Sequence, residues 1–175
     1  MSIKLCTPLY KEPLPGMRAV VASVGLEWHT CSGPHIWRNR NKLVCGQFTH
    51  YLFWDSDIVP ADPVGSISSL VARDLPIVGA AYEMRRDDGI RSYCAAVNES
   101  GHVSTGTTGL HKVDWVGAGF LVVKNEVFET CPKPWFRHEF VGDDQTPEDI
   151  GFCMNARANG FEIYIDCDVV VNHII

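Results

Sequence analysis

The run Tyr51-Leu52-Phe53-Trp54 is wholly apolar and leads straight into Asp55-Ser56-Asp57, with Pro60 just beyond. Two carboxylates at the end of a segment suited to burial are the first candidates for chemistry. On an extended backbone, residues two apart face the same side, so Asp55 and Asp57 would present one acidic face. Such a pair can hold a hard divalent cation, directly or through water. The carboxyl ends of strands are also the ligand-binding edge of open α/β sheets. The competing account is an Asx-rich turn that closes the strand. These residues alone leave both accounts open.

Glu148 and Asp149 form a second acidic pair, in Thr146-Pro147-Glu148-Asp149. One reading is a variant capping box: Thr146 caps a helix, Pro147 takes its first position, and the acids favour the helix dipole. The other is a carboxylate held at a helix start, facing a cleft as a general base. His173 follows the alternating segment "DVVVNH". It is either a satisfied or surface histidine, or a neutral imidazole completing a metal site begun by carboxylates. In "RNRN" (38–41), Arg38 lies on roughly the same helical side as Asn41 and Lys42. That side is either solvated or turned toward an anionic ligand.

Several motifs exclude rather than suggest. "VGAGF" (116–120) lacks a third glycine and runs into strand-like residues, so it is not a dinucleotide-binding loop. Gly142-Asp143-Asp144 sits in a loop before a helix, not between the strands of a polymerase hairpin. No G-x-x-x-x-G-K-[ST] loop exists, which removes P-loop chemistry.

The elements that must position these residues alternate between short apolar runs and helix-like segments, the pattern of an α/β domain with a mainly parallel central sheet flanked by helices. Strands are predicted at 3–10, 26–31, 50–55, 75–83 and 161–175, and a helix at 62–74 with Asp62 as cap. Segment 13–25 reads as a short helix that Pro15 and Gly16 open, and 32–48 as another. Segment 112–129 reads as one long strand followed by a short helix, and the Gly-, Ser- and Thr-rich middle as loops around a hairpin. The cleanest helix is 146–160, ended by Gly160.

The 175 residues suit one domain, 1–175, without repeat or linker, and 46% are hydrophobic, as in ordinary globular chains. A net charge of −6 without a Lys/Arg-rich run argues against nucleic acid as a partner. The seven cysteines are scattered, with no C-x-x-C pair, so neither a zinc ribbon nor a disulfide framework fits. The start "MSIKLCTPLY" is too short and polar for a signal peptide. No apolar run reaches the ~20 residues of a membrane span. The expectation is a reducing, cytoplasmic setting with no integral membrane segment.

Taken in order, "CTPLY", "RNRNKLV", "THYLFWDSDIVP", "PIVGAAYEMR", "DWVGAGFLVVKNEVFE" and "EDIGFCMNARANGFEIYIDCDVVVNHI" resemble a glycosyltransferase of the A-type fold, close to the family 2-like group. The resemblance spans most of the chain. It implies a nucleoside-diphosphate sugar donor, UDP- or GDP-linked, a carbohydrate or glycoconjugate acceptor, and Mn2+ or Mg2+ as cofactor. By the same resemblance, Thr7 and Pro8 line the nucleobase pocket, and Arg38 and Asn41 face the nucleotide. Asp55, with Ser56 beside it, lies near the ribose or a metal-bound water, and Asp57 binds the metal. Gly117, Ala118 and Gly119 form a close-approach loop beside sugar and acceptor. Asp149 is the catalytic base with Glu148 beside it, and His173 is a further metal ligand. The implied chemistry is single displacement with inversion, with retention left open. The short first helix region, interrupted by Pro13 and Pro15, departs from the family pattern.

Two rivals stand beside this reading. A nucleotidyltransferase on a similar sheet would need a glycine-rich basic loop after the first strand, and "TPLYKEPLPG" offers one Lys and one Gly. A non-catalytic nucleotide- or sugar-binding protein would have little need of Asp55, Asp57 and Asp149 together.

Overall fold

The computed structural model describes residues 1–10, 12–13, 16–84, 91–97 and 101–174. Pro15, and much of the expected hairpin loops in the middle of the chain, lie outside the described residues.

The centre is an eight-stranded sheet ordered β2-β1-β3-β10-β5-β13-β4, with β8 also paired to β13. Its strands are β1 (Ile3–Leu9), β2 (Glu27–Ser32), β3 (His50–Trp54), β4 (Ile58–Pro60), β5 (Ile77–Ala81), β8 (Leu110–Val113), β10 (Phe120–Lys124) and β13 (Ile163–His173). Strands β1, β2, β3, β5 and β13 run one way, while β10, β4 and β8 run the other. The sheet is therefore mixed but mainly parallel. Two small sheets stand apart from it. One joins β6 (Ser92–Val97), β7 (Gly101–Ser104) and β9 (Trp115–Val116), and the other pairs β11 (Phe140–Val141) with β12 (Asp144–Gln145).

Side chains alternate across a strand, and β3 shows why its apolar run is unbroken. Tyr51 and Phe53 enter a core on one face, while Leu52 and Trp54 enter the core on the other. The antiparallel neighbour β10 divides in the same way: Leu121 and Val123 against Phe120 and Val122. A strand covered on both faces must be apolar throughout. Helices α1 (Met17–Val24) and α3 (Pro63–Ala72) cover one face through Met17, Val21, Ile67 and Leu70. Helices α2 (Ile36–Leu43), α4 (Asn125–Thr130) and α5 (Glu148–Ala158) cover the other through Leu43, Val127, Phe128, Phe152 and Ala156. Each large apolar side chain buried this way contributes about 1.5–3 kcal/mol. All seven cysteines are free thiols.

Three local expectations are corrected. Segment 112–129 is not one strand: it breaks at Asp114 and again at 117–119, so that β8, β9 and β10 serve different pairings. The Gly142-Asp143 pair is the turn of a two-stranded hairpin rather than plain loop, and that hairpin is exposed at Phe140 and Val141. Helix α5 has Pro147, not Thr146, at its cap position, with no side-chain cap bond. The Thr146 hydroxyl instead accepts from the Glu139 amide and donates to the Glu139 carbonyl, tying the hairpin's base shut. The Asp62 cap is as expected: its carboxylate accepts from the Gly65 amide. Among the described residues no helix is long and apolar enough to cross a membrane.

Candidate active site

Asp55-Ser56-Asp57 is not extended. The Ile58 amide donates to the Asp55 carbonyl, so the chain turns tightly between β3 and β4. The turn reading of the motif is thus correct as local structure, and it sends the two carboxylates to different partners. This replaces the expectation of one shared face.

Asp55 turns toward α2. Its Oδ2 accepts from Arg40 Nη2 at 2.9 Å. The same guanidinium donates through Nη1 to the Ala118 carbonyl at 3.1 Å and through Nε to Glu148 Oε1 at 3.4 Å. Arg40 is only 4% exposed, so its charge depends on these partners. Burial works against that charge, and the nearby carboxylates of Asp55 and Glu148 overcome it, holding Arg40 firmly protonated. A planar fork with five donors can serve three acceptors at once, which an ammonium could not do in the same geometry. One residue therefore joins the strand-end acid, the glycine loop and the acidic start of α5.

Asp57 turns toward β13. The antiparallel register sets His173 opposite Ile58, and the Ile174 amide donates to the Asp57 carbonyl at 2.8 Å. A register shift in β13 between Asp166 and Val170 moves that strand from β5 toward β4. Buried Asp166 holds the shifted segment by accepting from Arg73 Nε and from the Asp168 amide. The result is His173 Nε2 at 3.3 Å from Asp57 Oδ2, with His173 Nδ1 at 3.2 Å from the Glu83 carbonyl. Because a carbonyl only accepts, Nδ1 carries a proton. The Nε2 atom then faces a carboxylate oxygen, and the two require a proton or a cation between them.

The cleft at this edge has a volume of about 240 Å³ and is lined by Asp55, Asp57, Tyr82, Cys94, Gly119 and His173, among others. A second space of about 310 Å³ adjoins it through Met84 and His173 and reaches Glu83, Arg91 and Tyr93. Tyr82 packs edge-on against His173, with ring centroids 5.7 Å apart. Its hydroxyl accepts from the Gly119 amide at 3.0 Å. A Cβ at Gly117 would stand 2.1 Å from that hydroxyl and 2.5 Å from Cys94 Sγ, so glycine is needed there for Tyr82 to pack. The Asp55 amide donates to the Gly119 carbonyl at 2.8 Å, fastening the loop to the turn. Burial pushes the Cys94 thiol up to about 12, which leaves it an inert wall of the cleft.

Asp149 begins α5 beside Glu148. Its Oδ1 accepts from the Ile150 amide rather than closing a capping box. Burial, then the neighbouring Glu148 charge, pushes its carboxyl from the ordinary 3.8 up to about 6. That value suits a general base working near neutral pH. Burial also raises Asp55, against the opposing charge and hydrogen bond of Arg40. Asp55 lines the cleft, and the charge of Asp149 bears on two of its walls, Tyr82 and Cys94. Gly151 lets the preceding loop pack against α5, because a Cβ there would sit 1.8 Å from the Arg137 carbonyl.

The structure thus brings together Asp55, Ser56, Asp57, Gly117, Ala118, Gly119, Glu148, Asp149 and His173. Others expected at the site stand elsewhere. Thr7 and Pro8 are buried within β1, where the Thr7 hydroxyl accepts from Trp28 Nε1. Arg38 is exposed and lies over the Trp37 ring, and Arg40 takes the inward position assigned to it. Asn41 holds the loop after α4: Nδ2 donates to the Trp37 and Phe136 carbonyls, and Oδ1 accepts from the Trp135 and Phe136 amides. The sequence did carry a signal for Arg40. Ile36, Arg40 and Leu43 share one helical stripe, and Arg38 lies opposite it.

A divalent cation can be tested against these donors. Among the described residues, no group of three or more His, Cys, Asp or Glu could enclose a metal ion by itself. Mg2+-type sites do not require one, since they use one or two carboxylates together with waters and substrate phosphates. Asp57 Oδ2 and His173 Nε2 face each other, and Asp55, which lines the same cleft, has a buried Oδ1 with no hydrogen-bond partner. This donor set fits a hard divalent cation whose coordination a diphosphate would complete.

No protein-family model matches the sequence, and no curated protein matches it. Solved structures do. A197 from STIV superposes with a TM-score of 0.73 at 18% identity, over 100% of this chain and 86% of that one. GalNAc-T7, in a crystal structure with UDP, GalNAc and Mn2+, superposes with a TM-score of 0.61 at 9% identity. That match covers 99% of this chain and 44% of the other, so this chain spans less than half the length of GalNAc-T7. At these identities the likeness is one of fold alone, an α/β architecture with a mainly parallel sheet flanked by helices that matches GT-A-like structures.

Proposed function

We propose that the protein transfers a sugar from a nucleoside-diphosphate sugar to an acceptor hydroxyl, with Asp149 as general base and a Mn2+ or Mg2+ ion at Asp57 and His173. The observation that carries this reading is the Arg40 joint. It fastens Asp55, the 117–119 loop and Glu148 together at the edge where Asp57 meets His173. A solvated turn and a helix cap would need no such connection.

Asp57 and His173 would hold the cation, with Asp55 Oδ1 directed at it or at one of its waters. When bound, such an ion neutralises negative charge on a departing diphosphate. Asp149 takes the proton of the acceptor hydroxyl while that oxygen attacks the anomeric carbon. The bond from that carbon to the diphosphate oxygen breaks on the opposite side, giving inversion. Arg40 does not meet substrate in this scheme. It keeps Glu148 and Asp55 in place and offsets their charge, so that Asp149 can lose its own proton near neutral pH. The likeness to a structure containing UDP and Mn2+ supports UDP-sugars as the first donors to try, with GDP-sugars next.

Asp57→Ala tests the metal assignment. It is expected to weaken Mn2+-dependent UDP or GDP binding at least roughly tenfold, the lower end of the loss seen when the surroundings of a metal are disturbed. Binding without metal should be unchanged. Equal Mn2+-dependent affinity in the variant and the parent, measured by calorimetry, would remove Asp57 from the metal site.

A further inference from the structure

A groove of about 440 Å³ lies on the outer face of α2, against the turn at 133–135 and apart from the acidic cleft. Trp37, Pro134 and Trp135 supply its apolar walls. Three cations stand on it: Arg38 lies 4.9 Å from the centre of the Trp37 ring, Lys133 lies 4.6 Å from that of Trp135, and Lys42 completes the set. No Asp or Glu lines the groove, although the chain carries a net charge of −6. None of the three cations forms a salt bridge among the described residues, whereas Arg40, on the inner face of the same helix, forms two.

The uncharged polar groups here are already engaged. Asn41 uses its amide on both sides to hold the neighbouring backbone. Trp135 Nε1 donates inward to the Phe128 and Cys131 carbonyls. The groove therefore offers apolar surface and positive charge, with few other directed partners. A neutral sugar leaves three cations without a counter-charge, and an extended peptide needs partners for its main chain. Both fit this lining poorly. An anionic head on an apolar body fits it well.

We propose that this groove is a binding site for a phosphate-bearing amphiphile, with the head among Arg38, Lys42 and Lys133 and the apolar body along Trp37, Pro134 and Trp135. The ligand enters as a single molecule. The groove's volume of about 440 Å³ suits one such molecule, and Trp135, at 6% exposure, forms its floor. The inference is independent of sugar transfer and stands or falls without it.

The test titrates the whole chain with dodecyl phosphate below its aggregation threshold, by calorimetry and tryptophan fluorescence. Parallel titrations use dodecyl maltoside, inorganic phosphate, an acidic peptide and anionic phosphatidylglycerol vesicles. Dodecyl phosphate should bind, and the double variant Lys42→Glu/Lys133→Glu should weaken it at least tenfold with unchanged far-UV circular dichroism. Trp37→Ala should weaken it by a similar factor. Equal binding of the maltoside would show a plain apolar crevice, and equal binding of inorganic phosphate a bare charge patch. Tighter binding of the acidic peptide, or binding to vesicles alone, would identify a different occupant. Each of these results, or indifference to the double variant, overturns the proposal.

Discussion

Asp149→Asn is expected to lower sugar transfer by roughly 10²–10⁴-fold, the usual range for losing a positioned general base, while leaving metal-dependent nucleotide binding intact. The amide keeps the shape of the carboxylate and can still accept from the Ile150 amide. What it loses is basicity. The parent's kcat/KM should rise about tenfold per pH unit up to about 6, where Asp149 loses its proton, and level off above. The variant's residual activity should lack that limb. Stability should move the other way. A carboxyl raised from 3.8 to about 6 binds more protons folded than unfolded between those values. Its ionisation therefore removes stability as pH rises through that window. Asp149→Asn should accordingly stabilise the fold above pH 6 by on the order of 1–3 kcal/mol, with the gain fading toward pH 4. Denaturant titrations at pH 5 and pH 8 measure this. Full transfer activity in the variant would make Asp149 a structural residue of the helix start and nothing more.

Arg40→Met should have the largest effect on the fold. It leaves Asp55 and Glu148 without their shared cation and the Ala118 carbonyl without its donor. Breaking a buried ion pair by removing one partner typically costs about 3–5 kcal/mol. Transfer should be lost, because the turn, the loop and the start of α5 are no longer fastened to each other. Arg40→Lys separates charge from geometry. It restores a cation but cannot serve three acceptors in the same plane. Most of the stability should return with it, while activity stays well below that of the parent. If Arg40→Met unfolds at the same denaturant concentration as the parent, the triad is a surface-like interaction and Arg40 does not organise the site. Nucleotide binding by Arg40→Lys offers a separate readout, which should change less than transfer does.

Much of this was legible in the sequence, because it rests on local rules. The unbroken apolar run of β3 requires burial on both faces, and that placed Asp55 and Asp57 at a sheet edge. The Asp62 cap and the start of α5 near Glu148 followed from cap and proline chemistry. What escaped depends on phase and register. Arg38 and Arg40 are two residues apart, and choosing between them requires the buried stripe of α2, which holds Asn39, Arg40 and Leu43. The meeting of His173 with Asp57 depends on a register shift in β13, held by Asp166 and Arg73, that no local pattern announces. Tyr82 was invisible as a partner because Gly117 and Gly119 signal close approach without naming what approaches. The turn at Asp55-Ser56-Asp57 was written in Ser56 and Pro60, and the assumption of an extended backbone hid that the two acids diverge.

The central claim is that this acidic edge binds a nucleoside diphosphate through a divalent cation. Isothermal calorimetry of the parent chain with UDP, GDP, ADP and CDP, each with Mn2+ and with a chelator, tests it most directly. The account predicts saturable binding of at least one of them in Mn2+ that disappears when the metal is removed. Failure of every nucleotide to bind in a metal-dependent way would contradict it.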